Sequence, residues 1–599
     1  MQVGPRDHTA ERVCAHTPIM RGPSKSQRFG YLWHSNIAGE DDFCSMHPVA
    51  HYHGPCGILL NVGGSPMRLW SDEIVGPIAA RSDGGESTMK TRFMQSVIWV
   101  VCLSVSSWAQ NTHACENLAN FKAPGVEITK AASIAAGTTV EIPFAGPIPP
   151  LPAYCRVEGV INRRTGVGGE QFGINFALAL PEKWNSDFLM QGGGGGNGFV
   201  APPVGITATG KTPGLMRGFA VLTNDTGHKS HGGGFDFGFM KDEQAYLDFA
   251  YAANAEAARL AKQIIAAYYG KPAAYSYFAG CSTGGREGMI LSQRFPTVFN
   301  GIVSGDPAMR TGLSNLAIGR WFPITYNQIA PKDTNGKPMI EQAITDADRK
   351  LIADSLIKQC DGKDGVVDGL ISYPMACDFD PGTLECKAGE KASCLAPEKA
   401  AAIKKAMAGP RTSTGVQVYP GFLYDTGITN ALPLRGLLAP GPGIFGPATT
   451  DMTMDVDKEA LADIQPLVDS MSTNLTTFSA NGGKLIFYHG DSDPWFSPLD
   501  TFGYYKDMAA ANGGLQSVSK WSQFYFVPGM SHCGGGQSLD QFDLLDAVVN
   551  WVEKGTPPNA VTATGRAFPG RSRPLCPYPT HAQYKGNGDT EQADNFECR

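Results

Sequence analysis

What this sequence lacks first is strong charge. Its 599 residues carry a formal net charge of −7. The lysines and arginines are scattered, and no basic stripe with interleaved aromatics stands out, which argues against nucleic acid as a partner. No apolar run reaches the ~20 residues of a membrane-spanning helix. No CxxC pair is present to suggest zinc or dithiol chemistry, and no fixed-period repeat or long low-complexity tract is visible. Histidine is sparse, at 12 residues. What remains is an ordinary globular composition, 42% apolar, long enough for two domains or for one enzyme domain with a large insertion. The 72 glycines and 42 prolines imply many tight turns.

Export is the first positive signal. Met89-Lys90-Thr91-Arg92 precedes the apolar run Val97 to Val105 and then Ser107-Trp108-Ala109. That is the layout of a secretory signal peptide over 89–109, too short to anchor the chain, so no membrane contact is expected after cleavage near Gln110. Residues 1–88 show neither amphipathic periodicity nor strand alternation, and are expected to be a non-native or disordered extension from an upstream start codon. A secreted or periplasmic location follows. Of the 14 cysteines, ten lie beyond the cleavage point. An even number in an exported protein suggests disulfides.

From 110 to 310 short apolar strands alternate with helical stretches: Phe172 to Leu180, Phe188 to Met190, Phe219 to Thr223, the helical Asp248 to Tyr269, the strand Tyr275 to Ala279 and the helix Gly285 to Arg294. This predicts an α/β fold, a mostly parallel sheet with helices on both faces. The stretch 311–475 reads as an inserted lid, with helices at Ile344 to Lys358 and Pro397 to Met407 and a Pro/Gly-rich region at Ala439 to Pro447. The core resumes over 476–599 with strands Lys484 to Tyr488 and Gln523 to Val527. A last helix is predicted from Leu539 to Glu553, with Phe542, Leu545, Val549 and Val552 on one face.

Gly280-Cys281-Ser282-Thr283-Gly284 matches a nucleophile elbow, in the required setting of strand before and helix after. A serine hydroxyl needs a histidine to take its proton, and the histidine needs a carboxylate to fix its tautomer. Six histidines lie beyond the signal: His113, His228, His231, His489, His532 and His581. His532 follows a strand and precedes the last helix, the place of the general base in an α/β-hydrolase. Asp491 and Asp493 share the loop after the strand Leu485 to Tyr488. Asp493, a few residues past the strand end, is the better acid, and His489 at the strand end is assigned a structural role. The Thr283 N–H and the Gly-rich loop Gln191 to Gly198 are placed to stabilise an oxyanion. His228 and His231, at i, i+3 with no Cys or Glu partner nearby, do not read as a metal pair. Gly205 to Thr212 fits the P-loop expression but lacks the strand before and the helix after it, so nucleotide binding is set aside.

Two further expectations come from the residues. Cys281 and Cys533 are chain neighbours of Ser282 and His532. Bringing those side chains into contact brings the cysteine backbones within disulfide range. Asp361-Gly362-Lys363-Asp364-Gly365-Val366-Val367-Asp368 sets three carboxylates in eight residues, a density of hard oxygen ligands that suits a structural Ca²⁺, although the spacing is not that of an EF-hand. No organic cofactor is expected.

The chain resembles the tannase and feruloyl esterase family, which also contains mono(2-hydroxyethyl) terephthalate hydrolase. The resemblance rests on Gly280 to Gly288 running on to Ser292 to Pro296, on Tyr488-His489-Gly490 with Ser492-Asp493, on Val527 to Cys533, and on Arg573 to Pro579. It implies an α/β-hydrolase core with a lid, the catalytic residues Ser282, Asp493 and His532, and an oxyanion hole at Gly195 and Thr283. It places Phe496 beside the substrate's aromatic ring. It makes Asp361, Asp364 and Asp368 side-chain ligands of calcium, with Val366 and Leu370 as carbonyl ligands. It pairs Cys115 with Cys155, Cys281 with Cys533, Cys360 with Cys377, Cys386 with Cys394, and Cys576 with Cys598. The implied activity is hydrolysis of esters of hydroxycinnamic or gallic acids, small or attached to plant polymer, through an acyl-enzyme. Thr283 stands where the terephthalate enzyme has Glu, and the Tyr419 to Met454 stretch differs from its lid, so that substrate comes second. An inactive secreted binding protein keeping the fold is the rival from another class.

Overall fold

The structure, a computed structural model, describes residues 114–142, 148–232, 234–390, 392–429, 455–462 and 465–599. The extension expected at 1–88, the signal peptide expected at 89–109 and the Pro/Gly-rich stretch 439–447 lie outside the described residues. Among those described, no helix is long and apolar enough to cross a membrane.

Nine strands form one sheet: β1 (Val126–Ile134), β2 (Tyr154–Thr165), β3 (Gln171–Pro181), β4 (Asp187–Gln191), β5 (Ala220–Asn224), β6 (Tyr275–Cys281), β7 (Gly301–Gly305), β8 (Lys484–Gly490) and β9 (Ser522–Val527). Their order is β1-β2-β3-β5-β4-β6-β7-β8-β9. The pairings up to β3–β5 are antiparallel. From β5 onward every pairing is parallel. Parallel neighbours need crossovers, supplied by the helices Ala253–Tyr269 and Thr283–Arg294 on either side of β6. The fold is therefore an α/β-hydrolase-type sheet. Strands β1 and β2 are additions that the sequence pattern hides, because Arg156, Glu158, Arg163 and Arg164 blur the alternation of β2.

Strand periodicity divides the core between the two faces. Phe188, Met190, Phe278, Leu485 and Phe487 pack on one face with the helix Ala253–Tyr269. The intervening Leu189, Tyr277, Ala279, Ile486 and Tyr488 pack on the other with the helix Leu544–Lys554. That last helix starts five residues later than the sequence pattern suggests. Asp543 caps it by accepting from Asp546 N, while the preceding Gln541 is held extended by exchanging backbone hydrogen bonds with Thr564. Its fully buried residues are consequently Leu544, Leu545, Val548 and Trp551; Val549 and Val552 are half-buried, and Phe542 belongs to the extended entry.

Register aligns the carboxyl ends of the central strands: Cys281 lies opposite Gly305, and Gly305 opposite Tyr488. After Gly305 the chain leaves the sheet and returns only at Lys484. The helices Asp346–Cys360 and Pro397–Met407 of this inserted segment build a core of their own from Leu313, Phe322, Ile352, Leu356, Ile403 and Tyr419. A capping box of Thr345 and Asp348 starts the first of them.

Candidate active site

Ser282 sits between β6 and the helix Thr283–Arg294 with φ 65° and ψ −123°. A non-glycine residue held there stores of order 1–3 kcal/mol of strain. Neighbouring backbone maintains it: Ser282 N donates to Gly305 O at 3.0 Å, and Arg286 N and Ala308 N both donate to Ser282 O. The small residues on either side are a steric requirement. A Cβ on Gly280 would come within 2.5 Å of Gly284 O, and one on Gly284 within 2.8 Å of Gly193 O.

The expected acid and base arrive from the ends of β8 and β9. His532 Nδ1 lies 2.7 Å from Asp493 Oδ2, so the ring proton is on Nδ1 and Nε2 is the free acceptor. Nε2 is buried and has no hydrogen-bond partner among the described residues, Ser282 Oγ included. Asp493 Oδ1 accepts from Trp495 N at 2.8 Å and Phe496 N at 3.2 Å. Burial opposes its charge, but His532 and His489 outweigh burial and hold this carboxyl well below the usual range. Asp491 differs sharply. It is buried, neither carboxyl oxygen has a partner among the described residues, and burial beside Asp425 and Asp306 pushes it well above the usual range. The structure thus brings Asp493, and not Asp491, to His532.

The Gly-rich loop is clamped to the elbow helix. Glu287 accepts from Gly193 N at 3.1 Å and Asn197 Nδ2 at 2.6 Å, and Gly284 N donates to Gly193 O. The Thr283 hydroxyl donates to Gly195 O, joining the two expected oxyanion positions. His228, buried and stacked on Phe239, lies 3.0 Å from Gly196 O; burial pushes its imidazole down to about 4. His231 is exposed and paired instead with Glu170 at 3.1 Å. Gly205 to Thr212 leads into a single 3-10 turn, Gly214–Arg217.

Phe496 is buried, with its ring centroid 5.3 Å from that of His532. Trp495 lies closer, at 4.6 Å, and Phe235 meets Trp495 edge-on at 6.2 Å. Neither Trp495 nor Phe235 is singled out by sequence reasoning. Trp495 could have been suspected from its place beside the acid; Phe235 carries no such signal. A second residue without a sequence signal is Asp306, just past β7, with no exposed side-chain surface. Its Oδ1 accepts from Gly490 N at 2.6 Å and its Oδ2 from Cys533 N at 3.0 Å. Oδ2 is also 3.2 Å from Cys281 Sγ. One carboxylate therefore ties the loop of Asp493 to the loop of His532 and lies against the disulfide beside Ser282.

Five disulfides join Cys115 to Cys155, Cys281 to Cys533, Cys360 to Cys377, Cys386 to Cys394, and Cys576 to Cys598. The Cys281–Cys533 Cα separation is 5.9 Å. Among the described residues, two groups of three bring potential metal-ligand atoms close together: Cys281, Asp306 and Cys533, and Asp306, His489 and Asp493. Neither suits a cation. The two sulfurs are bonded to each other, Asp306 is occupied by backbone N–H groups, and Asp493 by His532.

The acidic loop of the inserted segment forms no such tight group. Asp361 Oδ2 accepts from Asp368 N and Gly369 N, Asp364 Oδ1 from Val366 N, and Asp368 Oδ1 from Leu370 N. Asp368 Oδ2 is bonded to Arg573. Asp361 Oδ1 and Asp364 Oδ2 are buried with no hydrogen-bond partner among the described residues. Two orphaned carboxylate oxygens in one tight turn fit a hard cation, which would satisfy both.

The model of the family described as "Tannase and feruloyl esterase" matches residues 155–435 and 447–599. The chain is 36% identical to mono(2-hydroxyethyl) terephthalate hydrolase of Piscinibacter sakaiensis, over 75% of this chain and 85% of that one. In fold it is similar to feruloyl esterase B from Aspergillus oryzae, with TM-score 0.67 at 24% identity over 81% of this chain and 99% of that one. A tannin acyl hydrolase from Aspergillus niger superposes with TM-score 0.60 at 22% identity, over 80% and 92% of the two chains. An elbow serine, a His–Asp pair at the ends of the following strands and a family model spanning both halves of the sheet lead to one conclusion: the chain belongs to the tannase and feruloyl esterase family of carboxylic-ester hydrolases.

Proposed function

We propose that this enzyme is an exported serine esterase that cleaves esters of aromatic acids, with hydroxycinnamic and gallic acids as the preferred acyl groups. Ser282 attacks the ester carbonyl. His532 Nε2 takes the serine proton and returns it to the leaving alcohol, while Asp493 holds the ring in the productive tautomer. The N–H groups of Gly195 and Thr283 receive the oxyanion, and water then releases the acid from the acyl-enzyme. The observation that carries this reading is the His532–Asp493 bond of 2.7 Å, with Nε2 unpartnered among the described residues at the sheet end that also bears the strained serine. An inactive binding protein would have no need to maintain that strain. Phe496, with Trp495 beside it, supplies an aromatic wall for the acyl ring. A terephthalate monoester is the second substrate reading, favoured by the 36% identity to the enzyme of that name.

The calcium expectation is kept as part of the proposal. Asp361 and Asp364 would be the principal side-chain ligands, Asp368 would share its charge with Arg573, and Val366 and Leu370 would contribute carbonyls. The ion's role would be to fix the loop. Ten cysteines joined in five pairs support an oxidising compartment, secreted or periplasmic. The test is a hydrolysis panel of methyl ferulate, methyl gallate and the terephthalate monoester, run beside Ser282→Ala. Faster turnover of the first two, abolished in the variant, is expected. Turnover of no aromatic ester above the variant's background would refute the reading.

A further inference from the structure

His489 is a buried imidazole in contact with the acid of the relay, and the reaction as drawn gives it nothing to do. Its ring has no exposed surface. Nε2 lies 3.0 Å from Phe496 O, 3.3 Å from Asp493 Oδ2 and 3.6 Å from Asp306 Oδ1. Three oxygen acceptors facing one nitrogen require a proton on Nε2. Nδ1 is 2.9 Å from the Thr501 hydroxyl, which can accept a hydrogen bond from a second ring N–H.

Charge balance decides whether that second proton is present. The charged and titratable groups facing the ring are Asp306 after β7, Asp493 in its own loop and Asp500 in the helix Pro498–Ala511, with His532 beyond Asp493. Arg310 is bonded to Asp500. A neutral His489 would leave Asp306 and Asp493 as two buried anions with no cation between them, an arrangement that burial strongly disfavours relative to a compensated one. A proton on Nδ1 supplies the missing charge. The local fields point the same way: burial lowers the ring's basicity, but Asp306 and Asp493 raise it by more.

We propose that His489 is a positioning residue of the relay, a buried imidazolium that holds Asp493 Oδ2 in line with His532 Nδ1 and takes a share of that oxygen's charge. The inference rests on the relay assigned above and adds a second histidine to it. Asp493 Oδ2 then lies between two rings, one that shuttles the proton and one that keeps the carboxylate ionised and oriented. Asp306 anchors the second ring while also holding Gly490 N and Cys533 N.

Nitrogen NMR of the histidine rings in wild-type enzyme at neutral pH tests the charge directly. The expected result is one buried ring with both nitrogens protonated, its signal absent from His489→Gln. A neutral ring at that position overturns the proposal. The pH profile tests the role. Gln keeps an N–H donor near the site of Nε2 without the charge, so Asp493 and Asp306 act on His532 uncompensated. The acid limb of kcat/KM should move up by about one pH unit, with kcat reduced about tenfold and KM changed by less than about twofold. A lowered kcat with an unmoved limb would mean packing alone, and would also overturn it. Should the variant fail to fold, the wild-type NMR decides by itself. Failure of the underlying triad would appear separately, as full turnover by Ser282→Ala.

Discussion

The parallel half of the sheet and the segment inserted between β7 and β8 are held together by different means. In the sheet, backbone ladders and alternating side chains align strand ends from distant parts of the sequence, and Cys281–Cys533 spans 252 residues. In the insertion, the links are local: disulfides across 17 and 8 residues, a capping box and an acidic turn. The two regions are joined by ion pairs such as Arg310–Asp500 and Arg573–Asp368 and by hydrogen bonds near the strand ends. Tyr419 Oη accepts from Ser497 N at 2.9 Å, Asp425 accepts from Ser492 Oγ and Gly529 N, and Gly427 N donates to Ser492 Oγ. The difference teaches where each kind of change should act: alterations at the sheet end should abolish chemistry, whereas those in the insertion should alter stability and substrate preference.

The sharpest test of that division is inside one loop. Asp493→Asn should lower kcat by about four orders of magnitude, because the amide favours the wrong His532 tautomer. Asp491→Asn, which replaces a carboxyl whose ionisation burial already opposes, should cost far less. Steady-state kinetics of both variants on one ester checks this, and the reverse ranking would move the acid to Asp491.

Next in size is the long disulfide. The double variant Cys281→Ala, Cys533→Ala should lose roughly 2–5 kcal/mol of stability and much of its turnover, since the bond clamps the loops that carry Ser282 and His532. Peptide mapping of non-reduced protein should find the linked pair. Two alkylatable thiols at these positions in active enzyme would contradict it.

Within the insertion, excess EDTA should lower the melting temperature while leaving the His532–Asp493 pair intact. An unchanged melting temperature, with no metal found by elemental analysis, would remove calcium from the account. The smallest effect is a contrast in sign. Burial raises Asp364 to about 6 in metal-free protein, above its ordinary 3.8, so the fold favours its neutral form. Its contribution should fall as pH rises from about 4 to about 6. Arg164 beside Asp242 holds that carboxyl below its ordinary range. Asp242 therefore stabilises above pH about 4 and loses that contribution as pH falls further. Denaturation of metal-free wild type, Asp364→Asn and Asp242→Asn across this pH range should show the two residues acting in opposite directions.

The same contrast explains what was legible. The elbow, the Gly-rich loop and the loops of Asp493 and His532 are short patterns attached to apolar strands, so residue type and order suffice to nominate them. Asp306 and His489 escape that reading because their importance lies in what three separate loops bring around them. A lone Asp after a strand, or a His at a strand end, has no local signature. The last helix is misjudged by five residues because the hydrogen bonds of Gln541 with Thr564, remote in sequence, override a periodicity that runs on through Phe542. Trp495 and Phe235 are likewise recognisable as neighbours of His532 only in three dimensions.

The central claim, covalent catalysis at Ser282, is tested most directly by intact-mass and peptide analysis after treatment with a fluorophosphonate, which labels activated serines. A single adduct on Ser282, lost together with ester hydrolysis in Ser282→Ala, is the result the account predicts. Labelling at another serine, or undiminished hydrolysis by the Ser282→Ala protein, would contradict it.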